Sequence, residues 1–236
     1  MQLHMLQHVP FEGPEHIATW AQRRRYRLSV TRFYAADPLP SPAAVDGVVV
    51  MGGPMGVYEE DRYPWLRAEK TFLRAVFEAG RPVVGVCLGA QLLAEVLGGR
   101  VYPGPQPEIG WFPVQRTEPG RTHPLLADVP DELTVFHWHG DTFDLPPGAV
   151  HLMKSTACVH QAFLWEGRVL GLQFHLEVTP ASVQALVQAG RRELEAARLR
   201  SAYVQPSEAL LAHPAEAYRS LHDVLERLLD RVLGAQ

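Results

Sequence analysis

The sequence predicts an α/β protein built on a mainly parallel open sheet with helices on both faces. Strand-like apolar runs alternate along the chain with amphipathic stretches, as a helix-covered parallel sheet requires. Runs such as Val83-Val84-Gly85-Val86 are apolar throughout, which is typical of a buried strand. The length of 236 residues and the 47% share of hydrophobic residues are sufficient for one large core.

The elements are predicted in order from the amino terminus. Residues 3–8 form the first strand, residues 14–25 a helix, and residues 28–31 the second strand. The short basic cluster Arg23-Arg24-Arg25 falls at the end of that helix, where cations complement the helix dipole.

Two central strands follow, at residues 46–51 and 82–86. The helix between them covers about residues 65–79 and ends at Gly80, with Pro82 after the stop. Ligand-binding loops of open α/β sheets gather at the carboxyl ends of the strands, so we expect functional residues just after these runs.

The second half of the chain is less regular. Between residues 101 and 165 the sequence is rich in turns and prolines, which predicts antiparallel pieces at the sheet edge. A further strand pattern covers residues 169–174. Thr179 and Pro180 are a good N-cap and first helical residue, and they open a helix through about residue 199.

A last amphipathic helix begins at about residue 215. Its apolar stripe consists of Tyr218, Leu221, Leu225, Leu228 and Val232. Such a stripe either packs on its own domain or mediates self-association or partner binding, and the sequence alone does not distinguish these.

Composition restricts the functional class. The net charge of −4 and the shortness of the one arginine cluster, which no recognised nucleic-acid module accompanies, argue against nucleic-acid binding. The first residues lack the pattern of a signal peptide, and no apolar stretch reaches membrane-spanning length. Two cysteines do not make a disulfide framework, so we expect a cytoplasmic enzyme.

Cys87 is the first candidate catalytic residue. It lies at the junction of the strand 82–86 and a helix-forming stretch, between Gly85 and Gly89, as in a strand-to-helix nucleophile elbow. A thiol at a helix start also feels the positive end of the helix dipole, which predicts a lowered pKa. A free cysteine is often only a small core residue, so this assignment needs a partner base.

His175 and Glu177 provide that base and its orienting acid. The imidazole follows the strand 169–174 and would therefore emerge at the same sheet edge as the thiol. Glu177 can hold the ring in one tautomer, which completes a Cys-His-carboxylate triad.

The segments around these residues resemble class I glutamine amidotransferases. They are Gly85-Val86-Cys87-Leu88-Gly89-Ala90-Gln91 and Phe174-His175-Leu176-Glu177, together with Met51-Gly52-Gly53-Pro54, Glu108-Ile109-Gly110-Trp111 and His137-Trp138-His139-Gly140-Asp141. These motifs are most similar to those of stand-alone, GMP-synthase-like amidotransferase proteins. Many members have proline where this chain has Leu176, but the spacing of the histidine and the glutamate is preserved.

The resemblance implies a flavodoxin-like class I amidotransferase domain at residues 1–180, followed by a helical extension at residues 181–236 packed on it. It also implies roles for further residues. Gly53 and Leu88 would offer backbone N–H groups to an oxyanion, while Gln91, Gly140 and Asp141 would bind the substrate.

His137 and His139 raise the question of a metal site. They share a strand face, with Asp141 nearby, but no third histidine or cysteine follows at zinc-like spacing, so we expect no metal. Cys158 has no helix start after it and is interpreted as a core residue. The chain lacks a Walker-type loop, and no cofactor is expected.

The resemblance therefore predicts an enzyme that cleaves the γ-amide of glutamine through a γ-glutamyl thioester on Cys87. A γ-glutamyl peptide or conjugate hydrolase is an alternative with the same chemistry. A third hypothesis is an ammonia-donor or regulatory subunit that is active only with a separate synthetase; a homo-oligomer also stays open.

Overall fold

The computed structural model describes residues 1–234 and contains a nine-stranded sheet with helices on both faces. In chain order the strands are β1 (Gln2–Gln7), β2 (Arg27–Arg32), β3 (Gly47–Val50), β4 (Val83–Val86), β5 (Val101–Arg116), β6 (Glu132–Phe143), β7 (Val150–Lys154), β8 (Ala162–Trp165) and β9 (Val169–Leu172). Across the sheet their order is β2-β1-β3-β4-β9-β8-β7-β5-β6. The predicted α/β class is confirmed.

One half of the sheet is parallel. It consists of β2, β1, β3, β4 and β9, and each neighbouring pair runs in the same direction. Successive side chains of a strand point to opposite faces, so Val49 packs into the core on one face while Val48 and Val50 pack into the core on the other. Burial on both faces is the reason that the central strands β3, β4 and β9 are apolar throughout.

The other half of the sheet is antiparallel. β8, β7, β5 and β6 extend it from β9, as the sequence predicted for the edge. The proline-rich segment forms much of one long strand, β5, rather than a series of turns. Proline has no N–H for the ladder, and the register of β5 against β6 shifts between Pro103 and Glu108.

Eight α-helices cover the sheet within residues 1–234. They are α1 (Glu15–Arg23), α2 (Trp65–Glu78), α3 (Leu88–Val96), α4 (Glu118–Thr122), α5 (Pro180–Ala189), α6 (Arg191–Arg198), α7 (Ser207–Leu211) and α8 (Ala215–Leu233). Helices α2 and α3 pack on one face, and α1, α5 and α8 pack on the other. None of the described helices has both the length and the apolar character needed to cross a bilayer.

The prediction of one continuous helix at residues 180–199 is wrong. Thr179 caps the start as expected, since its side chain accepts a hydrogen bond from the Ser182 N–H. The chain then breaks at Gly190 into α5 and α6. A Cβ atom at Gly190 would lie 2.3 Å from Cζ2 of Trp138, so the glycine admits the indole ring at this point.

The last helix packs on the chain itself. The predicted stripe of α8 is buried, and α8 shares its hydrophobic core with α1 and β4. Polar contacts reinforce this packing: the Trp20 indole N–H donates to Asp230 over 2.9 Å, and His16 lies 2.8 Å from Glu226. The stripe is therefore covered within the chain.

Candidate active site

Cys87 lies on a sharp turn between β4 and α3. Its backbone has φ 53° and ψ −109°, a left-handed conformation that costs a non-glycine residue on the order of 1–3 kcal/mol. The turn is held on both sides, because the Cys87 N–H donates to the Leu172 carbonyl and the Gln91 N–H donates to the Cys87 carbonyl. A Cβ atom at Gly89 would lie 2.1 Å from the Val50 carbonyl oxygen, so only glycine lets α3 approach the sheet this closely.

His175 and Glu177 form a buried pair beside this turn. His175 Nδ1 lies 2.6 Å from Glu177 Oε1, and since a carboxylate accepts, Nδ1 carries the donated proton. The His175 N–H also donates to the Phe136 carbonyl, which fixes the backbone below the ring. The second ring nitrogen, Nε2, has no hydrogen-bond partner among residues 1–234 and remains free for the thiol.

The thiol and the imidazole influence each other. Cys87 Sγ can donate to the Trp138 carbonyl over 3.4 Å, and the sulfur also lies close enough to His175 for a hydrogen bond that raises the pKa of the imidazole. Burial raises the pKa of Cys87, and this outweighs the lowering by His175 and by the Leu88 N–H. The expectation that the helix dipole leaves the thiol with a lowered pKa is therefore wrong, because desolvation is the larger effect.

His175 is placed to accept that proton. Burial alone would lower its pKa, but Glu177 and Cys87 together raise the pKa well above the ordinary value of 6.5. The raised pKa of His175 and the Leu88 N–H beside the sulfur both favour transfer of the proton from Cys87 to His175.

The loop after β3 orients the first expected oxyanion donor. His8 Nδ1 lies 2.9 Å from the Gly52 carbonyl oxygen, which can only accept, so the histidine donates to it. The carbonyl of Gly52 and the N–H of Gly53 belong to one trans peptide and point in opposite directions. With the carbonyl directed at His8, the Gly53 N–H is turned to the other side, and Gly53 lines the cavity.

The second expected donor is Leu88, the first residue of α3. The first N–H groups of a helix have no partner within the helix, and the Leu88 N–H lies close enough to the sulfur to lower the pKa of Cys87. The Leu88 N–H is thus directed at the sulfur, and Gly53 lines the cavity onto which Cys87 opens.

His8 is itself held by a fully buried ion pair. Its Nε2 lies 2.9 Å from Glu69 Oε1, and its ring packs against Phe33 and Trp65, with centroids 5.5 and 5.4 Å away. Burial alone would lower the pKa of His8, but Glu69 raises it above the ordinary value of 6.5. Both ring nitrogens then donate, one to Gly52 and one to Glu69.

The expected substrate residues line the same cavity as the thiol. Gln91 is buried, and its amide donates to Gln173 over 3.1 Å and to the Asp141 carbonyl over 3.5 Å. The Asp141 carboxylate accepts a hydrogen bond from the Tyr58 hydroxyl over 2.9 Å. A Cβ atom at Gly140 would meet nothing within 4 Å, so its surface is open to a ligand.

These residues border one cavity of about 620 Å³. Gly53, Cys87, Gln91, Gly140 and Asp141 line it, whereas His175, Glu177 and Leu88 lie behind the lining. Such a volume is within the range of about 300–1,000 Å³ typical of small-molecule sites. The structure therefore brings all eight sequence-predicted site residues to one place.

Several lining residues escaped the sequence analysis. The set consists of Phe11, Glu12, Tyr58, Trp138, Arg192 and Glu193. A signal was available for Glu12, since it follows the carboxyl end of β1, where open α/β sheets collect functional groups. Arg192 and Glu193 carry no such signal, because they line the cavity only through the break at Gly190.

The residues that can hold a metal ion are Glu108, His137 and His139. They are the one such group found within residues 1–234, and their ligand atoms all lie within 4.8 Å of one another. Glu108 is neither a histidine nor a cysteine and lies about 30 residues before this pair in the sequence, but it is directly opposite His139 in the β5–β6 ladder.

Hydrogen bonds already occupy the carboxylate of this group. Glu108 accepts from Ser155 over 2.8 Å and from Gln161 over 2.6 Å, and His139 Nε2 lies 3.2 Å from it. Burial would raise the pKa of Glu108, but His139 and His137 lower it, so the carboxylate stays charged. His139 Nδ1 also lies 3.2 Å from the Asp141 carbonyl oxygen, which connects the cluster to the 139–141 segment.

Comparison with known proteins yields consistent matches. The family model described as glutamine amidotransferase class-I matches residues 15–189. A glutamine amidotransferase-like protein of Salmonella typhimurium, YfeJ, is 36% identical, with 98% of this chain and 97% of that protein covered. A GMP synthase (glutamine-hydrolyzing) of Thermomicrobium roseum is 39% identical over 60% of this chain, which spans 25% of that protein.

Solved structures show the same architecture over the full length. The crystal structure of a glutamine amidotransferase from Thermotoga maritima superposes with a TM-score of 0.89 at 31% identity, and it covers 100% of this chain and 99% of that one. A glutamine amidotransferase from Methylobacillus flagellatus gives a TM-score of 0.90 at 29% identity, with 99% and 94% covered.

Proposed function

Because this chain belongs to the class I glutamine amidotransferase family, we propose that it cleaves the γ-amide of glutamine through a thioester on Cys87. His175 is the general base and then the general acid, and Glu177 orients its ring. Gly53 and Leu88 donate to the oxyanion, and Gln91, Gly140 and Asp141 bind the amino-acid end of the substrate.

The first half-reaction forms the thioester. Cys87 gives its proton to Nε2 of His175, and the sulfur attacks the amide carbon, so that the carbonyl oxygen becomes an oxyanion between the two backbone N–H groups. Donors placed where charge develops are often worth about 3 kcal/mol each. The C–N bond then breaks, and the nitrogen leaves as ammonia with the proton that His175 carried.

The second half-reaction releases glutamate. A water molecule gives a proton to His175 and adds to the thioester carbon, and the oxyanion forms again at the same donors. The C–S bond breaks, glutamate leaves, and His175 returns the proton to the sulfur. The buried contact of 2.6 Å between His175 and Glu177 supports both steps, since it fixes the tautomer that presents Nε2.

The observation that carries this proposal is the placement of a thiol on a strained turn beside a free imidazole nitrogen and a helix N-terminus. The test measures ammonia and glutamate released from glutamine by wild type, Cys87→Ala and the control Cys158→Ala. We expect loss of turnover only with Cys87→Ala. A glutamine-like electrophile should label Cys87 and leave Cys158 unlabelled by mass spectrometry; an unlabelled Cys87 together with no turnover contradicts the proposal.

A working thiol must also stay reduced. Cys87 and Cys158 are both free, and cytosolic glutathione and thioredoxin keep thiols in this state. The same proposal therefore assigns the enzyme to the cytoplasm.

The second candidate function is a γ-glutamyl peptide or conjugate hydrolase. It is favoured by a specific observation: the cavity extends past the catalytic pair to Phe11, Glu12 and Glu193, which leaves room for a leaving group larger than ammonia. A panel of γ-glutamyl amides compared by kcat/KM distinguishes this candidate from a glutaminase.

A synthetase partner is a third candidate. Relatives include GMP synthases, and this chain spans only a quarter of the length of the one from Thermomicrobium roseum. If the chain donates ammonia to a separate synthetase, a pull-down should recover that enzyme in stoichiometric amount, and turnover of glutamine should rise only in the mixture.

A further inference from the structure

Glu12 is a carboxylate at the catalytic centre that the proposed mechanism does not use. It lines the cavity, is partly buried, and makes no hydrogen bond or ion pair with any described residue. Burial raises its pKa from 4.5 to about 7, although the nearby His175 and His8 lower it. An unpaired acid in such a position is typical of a functional site.

The position of Glu12 relates it to the leaving group. A Cβ atom at Gly52 would lie 2.1 Å from Glu12 Oε2 and 3.4 Å from His175 Cε1, so the carboxylate and the imidazole border the same point. His175 is the group that hands its proton to the departing nitrogen. The amine that leaves the thioester therefore emerges beside Glu12.

A second acid lines the same cavity as Glu12. Glu193, on α6, lines the same cavity, and its charge contributes to raising the pKa of Glu12. One of its oxygens accepts a hydrogen bond from the Trp138 indole over 3.1 Å, which holds the side chain over the cavity. The other carboxylate oxygen is left for a ligand.

The remaining charges of the lining do not cancel this pair. Asp141 is engaged by Tyr58, and Glu59 accepts from the Gly56 N–H over 2.7 Å. Arg192 is the one arginine or lysine of the lining, against four carboxylates. The cavity is thus acidic, and its least compensated acid is at the leaving-group end.

We propose that Glu12, with Glu193, recognises a cationic leaving group, so that the preferred substrate is the γ-glutamyl amide of an amine that carries a second positive charge, such as a diamine. The inference rests on the proposed function and specifies its substrate class. Glu12 meets the distal ammonium group, and the reacting atoms follow the thioester route unchanged: the C–N bond breaks and the amine leaves with the proton from His175.

The experiment compares matched leaving groups. The probes are glutamine, the γ-glutamyl amide of putrescine, which is cationic, and the γ-glutamyl amide of n-pentylamine, which has the same length but no charge. For wild type we expect kcat/KM to be roughly 10- to 100-fold higher for the putrescine amide than for the pentyl amide, as one charge-assisted contact warrants. The preference should grow from about pH 6 to pH 8, as Glu12 ionises.

Variants of Glu12 test whether this side chain causes the preference for the cationic leaving group. Glu12→Gln should remove most of it, Glu12→Asp should retain part of it, and Glu12→Lys should instead favour a γ-glutamyl amide whose leaving group ends in a carboxylate. Glu195→Gln is the matched control, since Glu195 is an exposed acid of α6 that pairs with Arg191 outside the cavity. It should behave as wild type.

Labelling of Cys87 by a glutamine-like electrophile separates the two possible failures. If Cys87 is labelled and the two matched amides are cleaved equally by wild type, the inference is wrong and the proposed function stands. If Cys87 is labelled but Glu12→Gln keeps the full preference, Glu12 is not the recognising group, which also overturns the inference. If no probe is cleaved and Cys87 stays unlabelled, the proposed function itself fails.

Discussion

Replacement of the buried His8–Glu69 pair should impair catalysis without changing any residue that lines the cavity. His8 directs the Gly52 carbonyl and so turns the Gly53 N–H away from the histidine, and Gly53 lines the cavity. The perturbation is the double variant His8→Phe/Glu69→Leu, which keeps an aromatic ring against Phe33 and Trp65 and removes both donors and the charge.

The magnitude follows from two separate effects. Loss of His8 alone would strand a buried carboxylate, at a cost of about 3–5 kcal/mol of stability, whereas exchange of both partners for apolar residues is often close to neutral. The double variant should therefore fold. If the Gly53 N–H loses its orientation, the effect on kcat should approach that of a missing oxyanion donor, on the order of 10²-fold.

The assay is steady-state release of glutamate at saturating and limiting substrate. An oxyanion donor acts on the transition state more than on the bound substrate, so we expect kcat to fall while KM changes little. The control is His4→Phe. His4 is a buried histidine of β1 that hydrogen-bonds Ser29 and Thr31 and does not contact the Gly52 carbonyl.

A result within about threefold of the wild-type kcat, for a double variant with an unchanged thermal melt, would refute the reasoning. Loss of activity together with loss of folding would not, because the melt identifies that case, and the single variant Glu69→Gln then serves as the milder test.

Three further predictions concern stability. Burial raises the pKa of Glu12 to about 7, so the folded state binds this proton more tightly than the unfolded chain does, and ionisation of Glu12 destabilises the fold as pH rises from 4.5 through about 7. In denaturant titrations Glu12→Gln should therefore be more stable than wild type by about 1–3 kcal/mol near pH 8 and by almost nothing near pH 4.5. An equal gain at both pH values would contradict this prediction. Gly89→Ala places a Cβ atom 2.1 Å from the Val50 carbonyl oxygen, so we expect it to lower the melting temperature sharply or prevent folding, whereas an unchanged melt would exclude the close approach. Asp230→Asn weakens the bonds from the Trp20 indole and from Arg24 to the last helix and should cost about 1 kcal/mol by the same titration. No measurable loss would mean that these two bonds do not help to hold the helix.

The parallel half of the fold could be read from the sequence because its rules are local. An apolar run such as Val48-Val49-Val50 can be buried on both faces only between two helical layers. The break at Gly190 could not be read in this way. Gly190 is compatible with a stop, as Gly80 is, but no proline follows it to fix one, and the close contact at this point is with the indole of Trp138, which is 52 residues away in sequence.

The same distinction applies to the candidate site. Cys87 and His175 each follow a strand that the pattern identifies, so their meeting could be predicted from the sheet rule. Glu12 and His8 also follow a strand, but neither belongs to a residue pair whose chemistry is evident from spacing. Their importance depends on contacts with Gly52, which becomes visible only when the peptide orientation is known.

The resting arrangement of the thiol explains how one site can be both protected and reactive. While the Cys87 proton points at the Trp138 carbonyl and burial raises the thiol pKa, the sulfur is a poor nucleophile and resists oxidation. Nε2 of His175 is the alternative acceptor for that proton, and the raised pKa of the ring, to which Glu177 and Cys87 contribute against burial, favours the form in which the imidazole holds it. A rotation of the thiol from one acceptor to the other creates the charged pair next to the Leu88 N–H. The proposed reactivity therefore depends on which acceptor the proton faces more than on the intrinsic acidity of the thiol.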